Sequence, residues 1–546
     1  MEAYASSASL TSLHFPTSLI CSHRSKPKFA NSHSSSVPTS PSQPLLGTTS
    51  SSKFKLFSSP VSVEVPVEAA TAAFSSGDEE KFDWYSQWYP VMPVCDLDER
   101  VPHAKKVLGM DVVVWWDRKE NAWKVFDDMC PHRLAPLSEG RIDPSGRLQC
   151  VYHGWCFDGS GDCNLIPQAP LDGPPVHTSK RACVAVYPAI VHHDIVWFWP
   201  NSDPQYKDIF EKKKPPFISE LGDPSFTKII GNRDVPYGYD VLIENLADPA
   251  HLPYAHYGLV PTQPLKEKRD KEGGRPVEFT VKKLGVEGFD AELGFGYSKF
   301  HAPCIISIHT DIPSRPNDEP SIYIERKTAL VFMCIPVSPG HSRLIWVFPR
   351  NFDVWVDKVV PRWMTHMGTN LLLDSDLYLL HIEERKIKEI GPENWQKACF
   401  LPAKSDGLVV GFRRWFNKYA DSEVDWRGKY TGQLPPTPPR EQLMDRYWTH
   451  VVNCSSCNCA YKCLNAAEII LKVVAVAIIG VVAATKQGVI SASTRTGLAI
   501  LATLCYAASK WLAHFVYDNF RYHDYNHSFP EKVMLFLRIF GLGVAL

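Results

Sequence analysis

Two short arms of the chain carry residues with obvious chemistry. Cys130-Pro131-His132 is followed, after seventeen residues, by Cys150-Val151-Tyr152-His153, so each arm offers one thiolate and one imidazole. Four such donors suit zinc or iron. A zinc finger usually places two Cys on one arm and two His on the other. Here the Cys/His division repeats in both arms, which suits a two-iron cluster with one iron on two thiolates and the other on two imidazoles. Pro131, Pro136, Gly140, Gly146, Gly154, Gly159 and Gly161 crowd the same loops. Glycine permits the turns that bring backbone N–H groups toward cluster sulfurs, and proline stiffens the approach. Imidazole ligands raise the potential of such a cluster, which makes it an electron donor to another centre.

A second group reads Asn245-Leu-Ala-Asp248-Pro-Ala-His251-Leu-Pro-Tyr-Ala-His256. Two histidines five apart are a weak signal, and a bland surface pair is the default for them alone. An iron centre that leaves positions open for O2 needs two His and one carboxylate on one face. Residues 370–385 read as a helix with Asp374 and Asp376 inside an otherwise apolar stretch. Either acid could belong to a solvated face, and an i, i+2 pair points in different directions, so both do not serve one ion. A third group, Cys454-Ser-Ser-Cys457 with Cys459 and Cys463 nearby, fits a redox pair, half a zinc site or incidental thiols. No matching second arm follows it, which favours a redox-sensitive pair over zinc.

The elements that must position these groups are legible as patterns. Dense aromatics open a small antiparallel β-unit at Trp84, runs at 111–116 and 123–126 read as paired strands, and 195–200 closes it, giving a domain over 84–203. Runs at 302–309, 321–324, 328–336 and 342–348 predict a larger sheet within 204–440. The proline-rich 435–439 is a linker, and 454–463 is a Cys-rich segment. Apolar residues at 469–485, interrupted by Lys472, and again at 496–516 predict two membrane helices within 466–518, joined by a short polar turn. A tail over 519–546 follows, apolar again from Val533 but too short to span. The fold class is therefore α+β with a C-terminal transmembrane hairpin.

A chain of 546 residues holds two or three such domains. Its net charge of -1 offers no global attraction for nucleic acid. The odd count of 15 Cys in a chain this long is no disulfide framework and indicates a reducing compartment. Residues 3–63 contain no Asp or Glu, are dense in Ser and Thr, and carry Arg24, Lys26, Lys28, Lys53 and Lys55. That composition predicts a disordered chloroplast transit peptide over about 1–65, cleaved between Ser50 and Ser76.

The C-x-H…C-x-x-H pattern followed by Gly154-Trp155 resembles the Rieske [2Fe–2S] ferredoxin, and N-x-x-D-x-x-H-x4-H resembles the iron motif of Rieske non-heme iron oxygenases. With the transit peptide, the membrane hairpin, Cys454-x2-Cys457 and Asp524-Tyr-x-His527, the chain resembles the chloroplast group of pheophorbide a oxygenase and chlorophyllide a oxygenase. The wording of residues 150–163 looks closest to its translocon-associated members. The resemblance implies a helix-grip catalytic domain, cluster ligands Cys130, His132, Cys150 and His153, and a mononuclear non-heme Fe(II) on His251, His256 and Asp376, with Asp374 as runner-up. It implies Asn245 beside the iron, and Asp248 linking one subunit's cluster to the neighbour's iron in a homotrimer. It further implies monooxygenation of a tetrapyrrole pigment, protochlorophyllide a, pheophorbide a or chlorophyllide a, with electrons from ferredoxin. Thioredoxin and translocon subunits are the other implied partners, and the inner envelope, or alternatively the thylakoid, is the implied membrane, with the domains facing the stroma. The competing class is a redox-sensing component of the import complex; loss of His251, His256 or the carboxylate would have pointed there, and all are present.

Overall fold

The computed structural model describes residues 80–259, 277–294, 296–312 and 326–528. The transit-peptide expectation, the strand at 321–324 and the apolar end from Val533 lie outside them.

Short strands dominate the first part. Met110–Asp117 pairs with His103–Val107 on one side and Ala122–Asp127 on the other, and Tyr89–Pro93 pairs with Ile195–Phe198. A third small sheet runs Arg141–Ile142, Leu148–Gln149, Cys156–Phe157, Cys163–Leu165. Its core is compact: Val113, Trp115, Phe126, Leu137, Leu148 and Phe157 pack around Cys130 and Cys150. The aromatic stretch that opens this part packs differently from the sequence expectation. Trp84 meets Tyr239 edge-on at 5.4 Å and Phe82 meets Trp415 at 5.2 Å, on the helices of the larger sheet, while Trp88 and Tyr89 stay with the small unit on Trp199 and Phe198, so the stretch joins the two cores. Large aromatic faces gain most where the most apolar surface is on offer.

That sheet has seven antiparallel strands in the order Thr227–Val235, His341–Arg350, Arg326–Ser338, Ile305–Ile312, Gly296–His301, Gly288–Leu293, Phe279–Gly285. Helices α1 (Tyr239–Leu246), α2 (Arg362–Ile390) and α3 (Gly407–Ala420) pack on it. Helix α2 is unusual in burying His366, Asn370, Asp374, Asp376, His381 and Glu384. Buried polar groups require partners, and the chain beside α2 supplies them in register. Ile230 O faces His366, Arg233 faces Asn370 and Asp374, Pro236 O faces His381, and Gly238 runs close beside Glu384. Eighteen residues of helix at ~1.5 Å and eight of strand at ~3.3 Å both cover roughly 27 Å, so the two tracks stay in step.

Asp374 sits between Arg233, 2.7 Å away, and Arg446, whose Nε is at 2.6 Å, with all three side chains buried. Two guanidiniums already claim this carboxylate, which removes the runner-up from the iron question. After the proline-rich stretch, α4 (Ser455–Ala484) and α5 (Ala492–Phe520) lie side by side, each long and apolar enough to cross a membrane. Cys457, Cys459 and Cys463 fall within the first turns of α4, with Cys454 capping it.

Removing one member of a buried ion cluster strands the others. Asp374→Ala should therefore lower stability by about 3–5 kcal/mol, read as a lower thermal midpoint; a midpoint equal to the parent's would show that the two arginines find other partners.

Candidate metal centres

The two arms of the first centre are built alike. Cys130 N–H donates to Ala135 O at 2.8 Å and Cys130 O accepts from Leu134 N–H; Cys150 N–H donates to Trp155 O at 2.8 Å and Cys150 O accepts from Gly154 N–H. Each loop turns through a left-handed residue four positions after its cysteine, Leu134 at φ 59° and Gly154 at φ 76°. The pseudo-symmetry brings like to like. The Cys130 and Cys150 side chains neighbour each other in the buried core, and the His132 and His153 rings lie 4.4 Å apart nearer the surface. Trp155 stacks on His132 at 4.7 Å and 9°. His132 Nδ1 is buried with no hydrogen-bond partner among the described residues. A lone pair held this way, beside a thiol pair, fits a cluster that separates two thiolates from two imidazoles. Leu134, Val151 and Tyr152 are exposed around the imidazole edge.

The second centre joins three elements. His251 ends a 3-10 turn at Pro249–His251, His256 follows the single turn Leu252–Ala255, and Asp376 projects from α2. His251 Nε2 and His256 Nε2 are 3.2 Å apart, and Asp376 Oδ2 lies 3.9 Å from the first and 3.5 Å from the second. Protons on the outer nitrogens are fixed by acceptors. His251 Nδ1–H donates to Asp248 O. Ser375 Oγ gives its own proton to Leu372 O at 2.6 Å and so accepts from His256 Nδ1–H at 2.6 Å. Two unprotonated nitrogens then face each other and a carboxylate across a gap that only a cation satisfies. The Asn245 side chain, on α1, lies next to the Asp376 carboxylate and favours its charged form. Burial pushes the Asp376 carboxyl up to about 6. Burial first, then the charge of His251 and of His527, brings His256 down to about 3. Asp248, whose carboxyl burial also raises, accepts from Ala250 N–H at 2.8 Å and keeps an edge exposed beside His251.

Ser375 was not legible in sequence, because a serine between two aspartates carries no pattern of its own. Nor were His366 and His450, which the structure brings to Cys454 and Cys457. They are far apart in the chain, although His450-x3-Cys454-x2-Cys457 offers a faint local cue. No second arm follows these cysteines in the chain, but the fold brings His366 and His450 beside them.

The pH response of the second centre follows from Asp376. Protons compete with metal for its carboxylate below about pH 6, while His256 is neutral throughout that range. Fe(II) affinity should rise by up to about tenfold per pH unit toward pH 6 and level off above it, measured anaerobically by equilibrium dialysis. The linkage has the opposite sign for the metal-free protein. Between about pH 4 and 6 the folded state holds a proton that the unfolded state has released, so this group makes metal-free stability fall as pH rises. Asp376→Asn should remove the mononuclear iron at every pH.

Known proteins sharpen this picture. The Rieske [2Fe-2S] domain family matches residues 87–188, and the pheophorbide a oxygenase family matches residues 300–394. Protochlorophyllide-dependent translocon component 52 of Arabidopsis thaliana is 57% identical over 97% of this chain and 100% of its own length. Flavonoid 8-hydroxylase 2 of Ocimum basilicum is 56% identical over 83% of this chain and 87% of its own, and pheophorbide a oxygenase of Oryza sativa 35% over 84% and 87%. All three relatives are chloroplastic, and this chain carries two helices long and apolar enough to cross a membrane. Among solved structures, dicamba monooxygenase bound to dicamba aligns with a TM-score of 0.49 at 19% identity, covering 62% of this chain and 97% of that one. The chain belongs to the pheophorbide a oxygenase family of Rieske non-heme iron oxygenases, enzymes that carry a [2Fe–2S] cluster and a mononuclear iron.

Proposed function

We propose that this oxygenase oxidises a chlorophyll-type tetrapyrrole, converting the ring methyl of protochlorophyllide a to a formyl in two rounds, each consuming O2 and two electrons. The observation that carries the reading is the identity of 57% along the whole of a protochlorophyllide-dependent relative. When bound, the cluster supplies electrons and the mononuclear iron activates O2. Cys130, Cys150, His132 and His153 hold the former in this reading, and His251, His256 and Asp376 the latter. Asn245 orients the carboxylate, and Ser375 and the Asp248 carbonyl orient the imidazoles. His251, His256 and Asp376 would hold the iron, and a site with three protein donors would leave room for O2.

Asp248 is the contact for incoming electrons. Its exposed edge beside His251, and the exposed Leu134, Val151 and Tyr152 rim around the cluster imidazoles, support docking of one copy's cluster against another's iron in a trimer. Ferredoxin reduces the cluster, and the domains face the stroma from the inner envelope. Thioredoxin is the partner in the redox reading of Cys454 and Cys457, but both thiols are buried, which limits its access. Association with translocon subunits follows the same relative.

A second substrate class has its own support, since the flavonoid 8-hydroxylase relative is 56% identical. One experiment separates them: the anaerobically reduced enzyme receives O2 with protochlorophyllide a or with a flavone, and product mass is measured. Oxidised pigment is expected. Oxidised flavone with unchanged pigment would transfer the assignment, and inert substrates with both iron centres loaded would favour the redox-sensing import component. A mixed assembly tests the electron route. Cys150→Ser and Asp376→Asn subunits, each inactive alone, should recover activity when co-assembled, and recovery fails if electrons stay within one chain.

A further inference from the structure

His366, His450, Cys454 and Cys457 form a third donor set, away from both centres described above. Their ligand atoms all lie within 4.8 Å of one another, and all four side chains are buried. His366 Nδ1 is 3.5 Å from each sulfur, and His450 Nε2 is 3.2 Å from Cys457 Sγ. A tetrahedral zinc at about 2.3 Å from sulfur and about 2.05 Å from nitrogen requires sulfur-to-nitrogen edges of about 3.5 Å. Both His366 edges match that figure, and the His450–Cys457 edge is slightly shorter at 3.2 Å.

The outer nitrogens strengthen the case. His366 Nε2–H donates to Ile230 O at 3.0 Å, and His450 Nδ1–H donates to Asn232 O at 2.6 Å. Both carbonyls belong to the strand Thr227–Val235. Each imidazole therefore carries its proton outward and turns a lone pair toward the thiols, the arrangement found behind metal-ligating histidines. Gly231, between the two carbonyls, has room only for hydrogen: a Cβ there would stand 2.9 Å from His366 Nε2 and 2.2 Å from the Trp346 ring. Trp346 in turn lies against both imidazoles, at 5.5 Å and 6.0 Å. Cys454 occupies the N-cap of α4 and Cys457 lies in its first turn, whose Ser455 N–H donates to Asp96 Oδ1 at 2.9 Å.

We infer that these four residues bind a structural Zn²⁺, a Cys2His2 site that fastens the root of the membrane hairpin to the strand and helix supporting the iron centre. Two thiolates neutralise the divalent ion, so a closed, dry site carries no net charge. His366 and Asp376 share helix α2 ten residues apart, roughly 15 Å along its axis. The zinc site and the iron site thus share one rigid element without sharing a ligand. Metal binding also explains why a C-x2-C pair sits buried, where a redox pair would need exposure.

The test uses the full-length protein in detergent with its iron centres loaded. Elemental analysis should find about one zinc per chain beside the iron. Cys457→Ser and His450→Gln should each lower zinc at least about fivefold while iron content and the cluster's electron paramagnetic resonance signal stay unchanged. Where a variant fails to accumulate, cobalt exchange in the parent protein decides. Intense visible bands of tetrahedral Co(II) with a thiolate-to-cobalt ultraviolet band support the site. The inference is overturned by zinc-free protein whose Cys454 and Cys457 titrate as free thiols or as a disulfide, by zinc retained in both variants, or by additional iron in zinc's place.

Discussion

The structure depends on a buried polar seam between helix α2 and the strand that starts at Thr227. An all-apolar helix could slide or rotate against a sheet at little cost, because hydrophobic contact is not directional. Here several turns of α2 are tied to specific partners: His366 to Ile230 O, Asn370 and Asp374 to Arg233, His381 to Pro236 O. An unmatched member would leave a buried group unsatisfied. Register and rotation are therefore specified, and with them the direction in which Asp376 points.

The seam also explains how neighbouring carboxylates divide their work. Asp374 and Asp376 lie on one helix two positions apart, yet one faces Arg233 and Arg446 and the other faces His251, His256 and Asn245. The first is held by fixed cations and fastens the segment before the membrane hairpin to the catalytic helix. The second is left without a fixed cation, and burial lifts its carboxyl to about 6. Such a group is poised to exchange a proton for a metal ion near neutral pH.

Both histidine pairs, His251 with His256 and His366 with His450, follow one rule. Each outer nitrogen is occupied by a fixed acceptor, and each inner nitrogen is thereby left free of a proton. The rule needs no special residue type: carbonyls of Asp248, Ile230 and Asn232 and the hydroxyl of Ser375 suffice. That is why sequence shows the ligands far better than it shows their supports.

Sequence by itself determined the chemistry wherever donors lie close along the chain. Cys130, His132, Cys150 and His153 sit on two tight loops, so their spacing narrows them to zinc or a two-iron cluster. Asn245, Asp248, His251 and His256 share one short stretch whose spacing alone is weak, and only the resemblance to an iron motif made it legible. The α+β class, the strands at 110–117, 122–127 and 341–350, and the two apolar helices were legible for a similar reason, since periodicity and length are local properties. Tertiary structure decided what depends on distant segments meeting. The packing of Trp84 on Tyr239, the separation of Asp374 from Asp376 through Arg233 and Arg446, and the joining of His366 and His450 to Cys454 and Cys457 all needed the fold. Local spacing cannot encode a contact between residues whose separation in the chain is arbitrary; only the packing of α2 against its strand makes them neighbours.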